Sequence, residues 1–302
     1  MFKLDNIHHS KYELADFIEY EAFSCADGSC SIESLRSRLS APEDEIDING
    51  TEEGDDLVLA KLQEALLYCS ERKFAFRGYP CKISTNSLTI NDSFDCKAYY
   101  YYFLLLSNRL NMRSENVQGG IDATKMFERL CRCVASEYLG PYSKCVIFGT
   151  AVKSPFKDKV NDILNKLHIS GKYKEPFGGT GHHKDGGVDL VAWIPFLDNK
   201  DSQLIAIGQC KTGDSWEVFL KKVDFFSNYS TMQPFVEPVY MFFVTEDFGQ
   251  YKWEERSKSA GLLFDRRRIL EYLPKDINKF DETLEADIIK WVNNAMAFVR
   301  RQ

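Results

Sequence analysis

The sequence predicts an α/β protein in which a central mixed sheet is flanked by helices and preceded by a mainly helical N-terminal domain. Three observations carry that expectation. Residues 119–302 alternate short apolar strand runs with segments of helical period, an order that builds a sheet covered by helices. Residues 1–118 show helical periodicity through most of their length. Between them RSENVQGGID (113–122) is polar and Gly-bearing, and the boundary is set after residue 118.

In chain order, YELADFIEYEAF (12–23) reads as an amphipathic helix. SIESLRSRLS follows as a second, with Ser31 as N-cap and Glu33 in its first turn. The acidic stretch 41–56 lacks helical period and reads as a mobile loop. LVLAKLQEALLYCSER is a third helix, YPCKISTNSLTI a strand or hairpin, and AYYYYFLLLSNRLNM a strongly buried helix. In the second part, ATKMFERLCRCVASEYL is a helix, KCVIFGT a strand and FKDKVNDILNKLH a helix, followed by the Gly-rich loop GGTGHHKDGG. Two strands, VDLVAWIPF and QLIAIGQCK, come next. SWEVFLKKVDFFSNY reads as a helix and PVYMFFVT as a buried strand. ERSKSAGLLFDRRRILEYL reads as a strand and helix, and ETLEADIIKWVNNAMAFVRR as a terminal helix.

The chain has 302 residues, and its hydrophobic content of 44% suffices for a packed core. No apolar run is long enough to span a bilayer, so no membrane partner is expected. The N-terminus lacks the layout of a signal peptide. The nine cysteines form no CxxC pair and read as reduced thiols of a cytoplasmic protein. Net charge is −7, unevenly spread. Residues 1–118 hold 12 basic and 20 acidic side chains, a balance of −8; the remainder holds 26 and 25, a balance of +1. The second part is therefore free to present a basic surface where it needs one.

The chemistry lies in the hairpin. Asp189 stands among Val188, Leu190, Val191, Ala192 and Trp193, where a carboxylate is costly unless something pairs with it. If the polar loop LDNKDS turns near Asn199, residues whose numbers sum to 398 face each other, and Asp189 lies opposite Gln209. Opposed Cβ atoms in such a pair are roughly 5 Å apart. Gln209 and Lys211 then share one face, while Cys210 points to the other. A carboxylate, an amide oxygen and the backbone carbonyl of Cys210 offer a hard divalent cation oxygen ligands. Lys211 beside it suits the holding of a water or a phosphate. Mg2+ (or Mn2+) is the expected ion.

GGVDLVAW…QCK resembles the core of the PD-(D/E)xK nucleases, the restriction-endonuclease-like superfamily. The likeness is greatest to its Mrr-type branch, where Gln often replaces the second acid. MFERL supplies the Phe-Glu pair (Phe127, Glu128) that this branch carries on the helix before its sheet. YMFFVT matches the apolar strand ending in Thr, and LLFDRRRI the closing apolar-Asp-Arg segment. The resemblance runs over roughly residues 121–273. It implies a restriction-endonuclease-like sheet in 119–302, with Asp189, Gln209 and Lys211 as the catalytic set. Glu128 is implied as a further metal or water contact. It implies a metal-dependent endonuclease in prokaryotic defence, taken to act on double-stranded DNA; since two strands must then be cut, a homodimer is expected. The helix FKDKVNDILNKLH is an insertion relative to the simplest pattern, and residues 1–118 resemble no reader domain. Their acidity suits a regulatory or partner-docking part that shields the catalytic face until a defence-system protein moves it. The alternative is a catalytically weak or inactive nuclease-fold subunit that binds DNA or scaffolds a defence complex, which the Gln in place of an acid admits. An RNA or branched substrate ranks below both.

Each of these residues also has a plainer explanation. Asp189 suits a strand-end carboxylate capping the backbone, and Lys211 a solvated strand-end lysine. On a helical wheel Phe127, Leu130, Cys131, Val134 and Tyr138 form the buried face. Glu128 and Glu137 flank it on opposite sides, so the wheel does not choose between them; only the resemblance favours Glu128. His182 and His183 read as exposed loop residues, DRRR (265–268) as a charged helix start and YYYYF (99–103) as core. The Gly-rich loop lacks a GxxxxGK[ST] layout and leads into no helix, which excludes nucleotide binding there.

Overall fold

A computed structural model describes residues 4, 9–39, 51–149, 154–176 and 186–301, with 51–55 as backbone only. His182, His183 and residues 41–50 of the expected acidic loop lie outside the described residues. In chain order the elements are α1 (Lys11–Ser24), β1 (Ser29–Ser31), α2 (Ile32–Arg36), α3 (Thr51–Ala75), β2 (Cys81–Ile83), β3 (Ser87–Ile90) and α4 (Cys96–Arg109). The two-residue strands β4 (Val117–Gln118) and β5 (Ile121–Asp122) follow. Next are α5 (Ala123–Leu139), β6 (Lys144–Ile147), α6 (Phe156–Lys166), β7 (Leu190–Ile194), β8 (Leu204–Lys211) and α7 (Phe225–Tyr229). The chain closes with β9 (Val239–Val244), α8 (Gln250–Ala260), β10 (Leu262–Phe264), α9 (Arg266–Glu271) and α10 (Leu284–Val299).

The chain divides into two compact units. One comprises 1–121, 247–249 and 286–302, and the other 122–246 and 250–285. The break thus falls three residues past the expected boundary, and most of α10 belongs with the N-terminal residues rather than with the sheet that precedes it. Its apolar face explains this: Ile288, Trp291, Val292 and Ala295 are fully buried. The Trp291 indole stacks edge-on against Phe103 and donates to the Asn116 carbonyl at 3.0 Å.

In the first unit, helices α1, α3 and α4 pack around a three-stranded antiparallel sheet in the order β1-β3-β2. The YPCKISTNSLTI hairpin forms as expected, with Cys81 opposite Ile90. Ser10 begins α1 with a reciprocal capping box to Glu13, which satisfies N–H groups the helix start leaves open. Two expectations fail here. Residues 51–56 start α3 instead of continuing a loop, and α1 is buried on all sides, not amphipathic. Asp16 and Glu19 are buried in α1 because Arg72 and Arg109 meet them at 2.7–3.0 Å. The unit is also less purely helical than expected, since its sheet contributes Cys30, Cys81 and Leu88 to the core.

In the second unit a five-stranded mixed sheet runs β10-β9-β8-β7-β6. β7 is antiparallel to both of its neighbours, and β8, β9 and β10 run parallel. Alternation gives the sheet two apolar faces. Val191, Trp193, Ile205 and Ile207 join Val160, Ile163 and Leu164 of α6 and Phe225, Phe226 and Tyr229 of α7 in one core cluster. On the other face α5 crosses β6, β7 and β8. The helix expected over SWEVFLKKVDFFSNY does not form as one piece. A 3-10 turn at Trp216–Phe219 and the short α7 are separated by residues 220–224. Trp216 is pinned by Glu246 and Phe225 by the core, and these anchors outweigh weak helix preference in an aromatic and β-branched stretch. Among the described residues no helix is long and apolar enough to cross a membrane. All nine cysteines are free thiols.

Candidate active site

The register of β7 and β8 places Leu190 opposite Gly208 and Ile194 opposite Leu204, so paired numbers sum to 398 as the hairpin length requires. The turn between them holds Asn199 in the left-handed region (φ 57°). Asp189 stands one residue before β7, past the last paired position Leu190–Gly208, so the expected pairing with Gln209 is not made. The Asp189 carbonyl accepts from the N–H groups of Phe148 (2.8 Å) and Gly149 (3.0 Å) beyond β6, and its own N–H donates to the Gly208 carbonyl of β8 (2.9 Å). In a regular strand those two groups point to the same side; here they reach opposite neighbours. The Asp189 backbone is thereby tied into the strands on either side.

Its carboxylate is 7% exposed and is addressed from β8. The Cys210 N–H donates to Oδ2 at 2.7 Å, and the Lys211 ammonium reaches the same oxygen at 3.4 Å. Asp189 thus accepts from the backbone, as its plainer explanation expected, and also meets Lys211. Lys211 is half-buried at the strand end, with its ammonium 5.7 Å over the ring of Phe219. Gln209 is buried and lies along Gly187, at the end of the Gly-rich loop; a Cβ there would come 3.8 Å from Nε2. Gly187 has φ +77°, a conformation that disfavours side chains, so glycine lets the chain turn directly into the Asp189 corner.

Glu128 and Glu137 are separated clearly by the structure. Glu137 is exposed, whereas Glu128 is buried with its carboxylate against Gly149. A Cβ on Gly149 would sit 3.0 Å from Glu128 Oε2, tighter than ordinary contact. Since the Gly149 N–H binds the Asp189 carbonyl, Glu128 and Asp189 converge on one glycine. Sequence reading did not single out Gly149 or Lys159. Lys159 is buried in α6 and donates to the carbonyls of Phe148 (3.3 Å) and Gly149 (2.9 Å). Its position beside Val160 and one turn before Ile163, within an apolar row, was the available signal. Tyr138, placed on the buried face of α5 by the wheel, is in fact 38% exposed, where it packs edge-on against Phe264 and Tyr272.

Cys210 turns its thiol to the α5 face, beside Cys131. Burial pushes both thiols above their ordinary range, with the nearby Asp189 and Glu128 charges adding to the effect. The backbone of Cys210 remains relevant through its N–H, which is directed at Asp189.

The donor set fits a hard divalent cation in kind. Glu128 and Asp189 supply charged oxygens, and Gln209 and the Cys210 carbonyl neutral ones. Among the described residues no three His, Cys, Asp or Glu side chains gather as a ligand cluster. Two carboxylates and a neutral amide carry less negative charge than three acids would. DRRR opens α9 as expected: Asp265 caps the helix through the Arg268 N–H (3.0 Å), and the Arg268 guanidinium lies 3.6 Å over Trp253. YYYYF is core, with Tyr100 to Phe103 all buried.

No protein-family model, curated protein or solved structure matches the chain.

Proposed function

We propose that the protein is a metal-dependent endonuclease that hydrolyses phosphodiester bonds of double-stranded DNA. One observation carries the reading: Lys211 Nζ lies 3.4 Å from Asp189 Oδ2 at the end of adjacent antiparallel strands. Gln209 lies along Gly187, two residues before Asp189, and the buried Glu128 arrives at Gly149. The order of parts agrees with a PD-(D/E)xK core. A helix bearing Phe127 and Glu128 precedes the sheet, and the QxK strand leads through a helical segment to an apolar strand followed by Thr245.

Asp189, Glu128, Gln209 and the Cys210 carbonyl would hold Mg2+ or Mn2+. Such an ion supplies a Lewis acid for the phosphate and makes water more acidic. Lys211 orients a phosphoryl oxygen or the attacking water and donates a hydrogen bond as negative charge builds. Asp189 fixes the position of that ammonium through Oδ2. Backbone bonds from Phe148, Gly149 and Cys210 hold Asp189 in turn, so the corner is organised before substrate arrives.

Nicking of supercoiled plasmid in Mg2+ or Mn2+ tests this, run beside Asp189→Ala and Lys211→Ala. The wild type should nick, and each variant should lose about a hundredfold or more in rate, the usual weight of such a group. Equal nicking by all three proteins would expose a contaminant and end the proposal. A second reading, a DNA-binding subunit that keeps the fold without hydrolysis, is favoured by the way Cys210 and Lys211 already engage Asp189. Binding of DNA without nicking in either metal would select it.

A further inference from the structure

Beside Lys211 the segment 217–222 exposes apolar side chains without being loose. Val218 is 79% and Phe219 50% exposed. Single exposed apolar residues are ordinary, but these are fixed from both ends. Upstream, Trp216 is fully buried and its indole N–H donates to Glu246. Glu217 is clamped by Lys252 (2.7 Å) and Arg256 (2.6 Å), which neutralise it. Downstream, Phe225 and Phe226 are sunk in the core of the sheet. Lys221 and Lys222 follow on the same segment, both exposed, with the Lys222 ammonium 5.5 Å over Tyr240. The exposed Asp214 and Asp224 lie outside the stretch, one on each side.

We propose that residues 218–222 form the duplex-contacting edge of the candidate site. Phe219 enters a groove of double-stranded DNA, and Lys221 and Lys222 engage the backbone phosphates. The assignment rests on the nuclease reading above, because it takes Lys211 as the group that meets the scissile phosphate. Phe219 lies 5.7 Å from that ammonium. With a rise of about 3.4 Å per nucleotide along a strand, the ring falls within roughly two nucleotides of the reacting bond. An apolar side chain held there is placed to wedge against a base step, as groove-inserting residues do. Its fixed mounting reduces the ordering cost of binding.

The test is fluorescence anisotropy on a short labelled duplex, with Ca2+ in place of Mg2+, across a salt series, using the full-length protein. Phe219→Ala should weaken binding about tenfold and leave the salt slope unchanged, as loss of a base contact does. Lys221→Ala/Lys222→Ala should flatten the slope of log K against log salt by about 2, the value for two released phosphate contacts. Circular dichroism melts of both variants should match the wild type, since the side chains are exposed. Unchanged affinity for Phe219→Ala, an unchanged slope for the lysine pair, an effect confined to single-stranded oligonucleotide, or no duplex binding by the wild type would each overturn the proposal. A parallel nicking assay keeps the two ideas apart. If the wild type nicks and the variants bind equally well, the edge fails while the nuclease stands. If nothing nicks but the variants bind as stated, the edge stands and hydrolysis fails.

Discussion

Arg72 meets three carboxylates at once, those of Asp16 (2.7 Å), Glu19 (3.0 Å) and Asp247 (2.7 Å), and it is almost fully buried. Arg109 joins Asp16 at 2.7 Å, the hydroxyls of Tyr79 and Tyr101 donate to Glu19, and that of Tyr68 donates to Asp247. Removing one member of such a set leaves charges buried without their partner, which usually costs about 3–5 kcal/mol. Arg72→Ala should therefore lower the unfolding free energy of the full chain, read from urea titration, by an amount in that range, and a change within error would show that the carboxylates find other partners. None of this was legible in the sequence. Asp16 and Glu19 spoil the apolar face of a helix read alone, and their partners lie 53 residues and more along the chain. The neighbourhood of Asp189 was legible for the opposite reason: Lys211 is only a hairpin away. The hairpin length fixed the register up to Leu190–Gly208, but not at Asp189, whose N–H bonds Gly208 instead of facing Gln209.

At the scale of elements, the orientation of α5 matters most, because it decides which glutamate reaches Gly149. Arg129, next to Glu128, projects away and makes a two-pronged contact with Asp281 (2.6 and 2.9 Å), to which Arg132 adds a third bond at 3.2 Å. These bonds fasten the outer side of the helix while Leu130, Cys131 and Val134 are buried against the sheet. Hydrogen bonding from Arg129 holds the Asp281 carboxyl below its ordinary value of 3.8, against the opposing effect of burial. A depressed carboxyl contributes stability above its unfolded pKa and loses it as pH falls through the folded value. Asp281→Asn should accordingly cost about 1 kcal/mol at neutral pH, a modest figure for a partly exposed pair. The gap to wild type should close as pH drops below 3.8, and denaturant titrations at several pH values would read it. A gap independent of pH would mean that shape rather than charge links α5 to Asp281. The sequence marked α5, β7, β8 and β9 correctly, α5 by its helical period and the strands by short apolar runs bounded by polar loops. It failed for residues 216–229, where burial of Trp216 and Phe225 from separate anchors replaces periodicity.

At the scale of the whole molecule, the division of the chain dictates how it can be cut. Removing residues 1–118 alone would leave α10 without Phe103 and Asn116, and would bare Ile288, Trp291, Val292 and Ala295 to water. Four such side chains, at about 1.5–3 kcal/mol each for the larger ones, form an exposed apolar stripe that favours self-association. A chain spanning 122–285 drops that stripe together with the N-terminal residues. It also changes the electrostatics: the full chain has a net charge of −7, whereas 122–285 holds 23 basic and 24 acidic side chains, a net charge of −1. Less repulsion of DNA phosphate should strengthen duplex binding at low salt, with the gain fading as salt rises. Size-exclusion chromatography and thermal melts should therefore find 119–302 aggregated and 122–285 monodisperse with a cooperative transition. If 119–302 runs as cleanly as 122–285, α10 does not need the N-terminal residues. If 122–285 binds duplex no better than the full chain at low salt, the acidic surplus is not what restrains DNA.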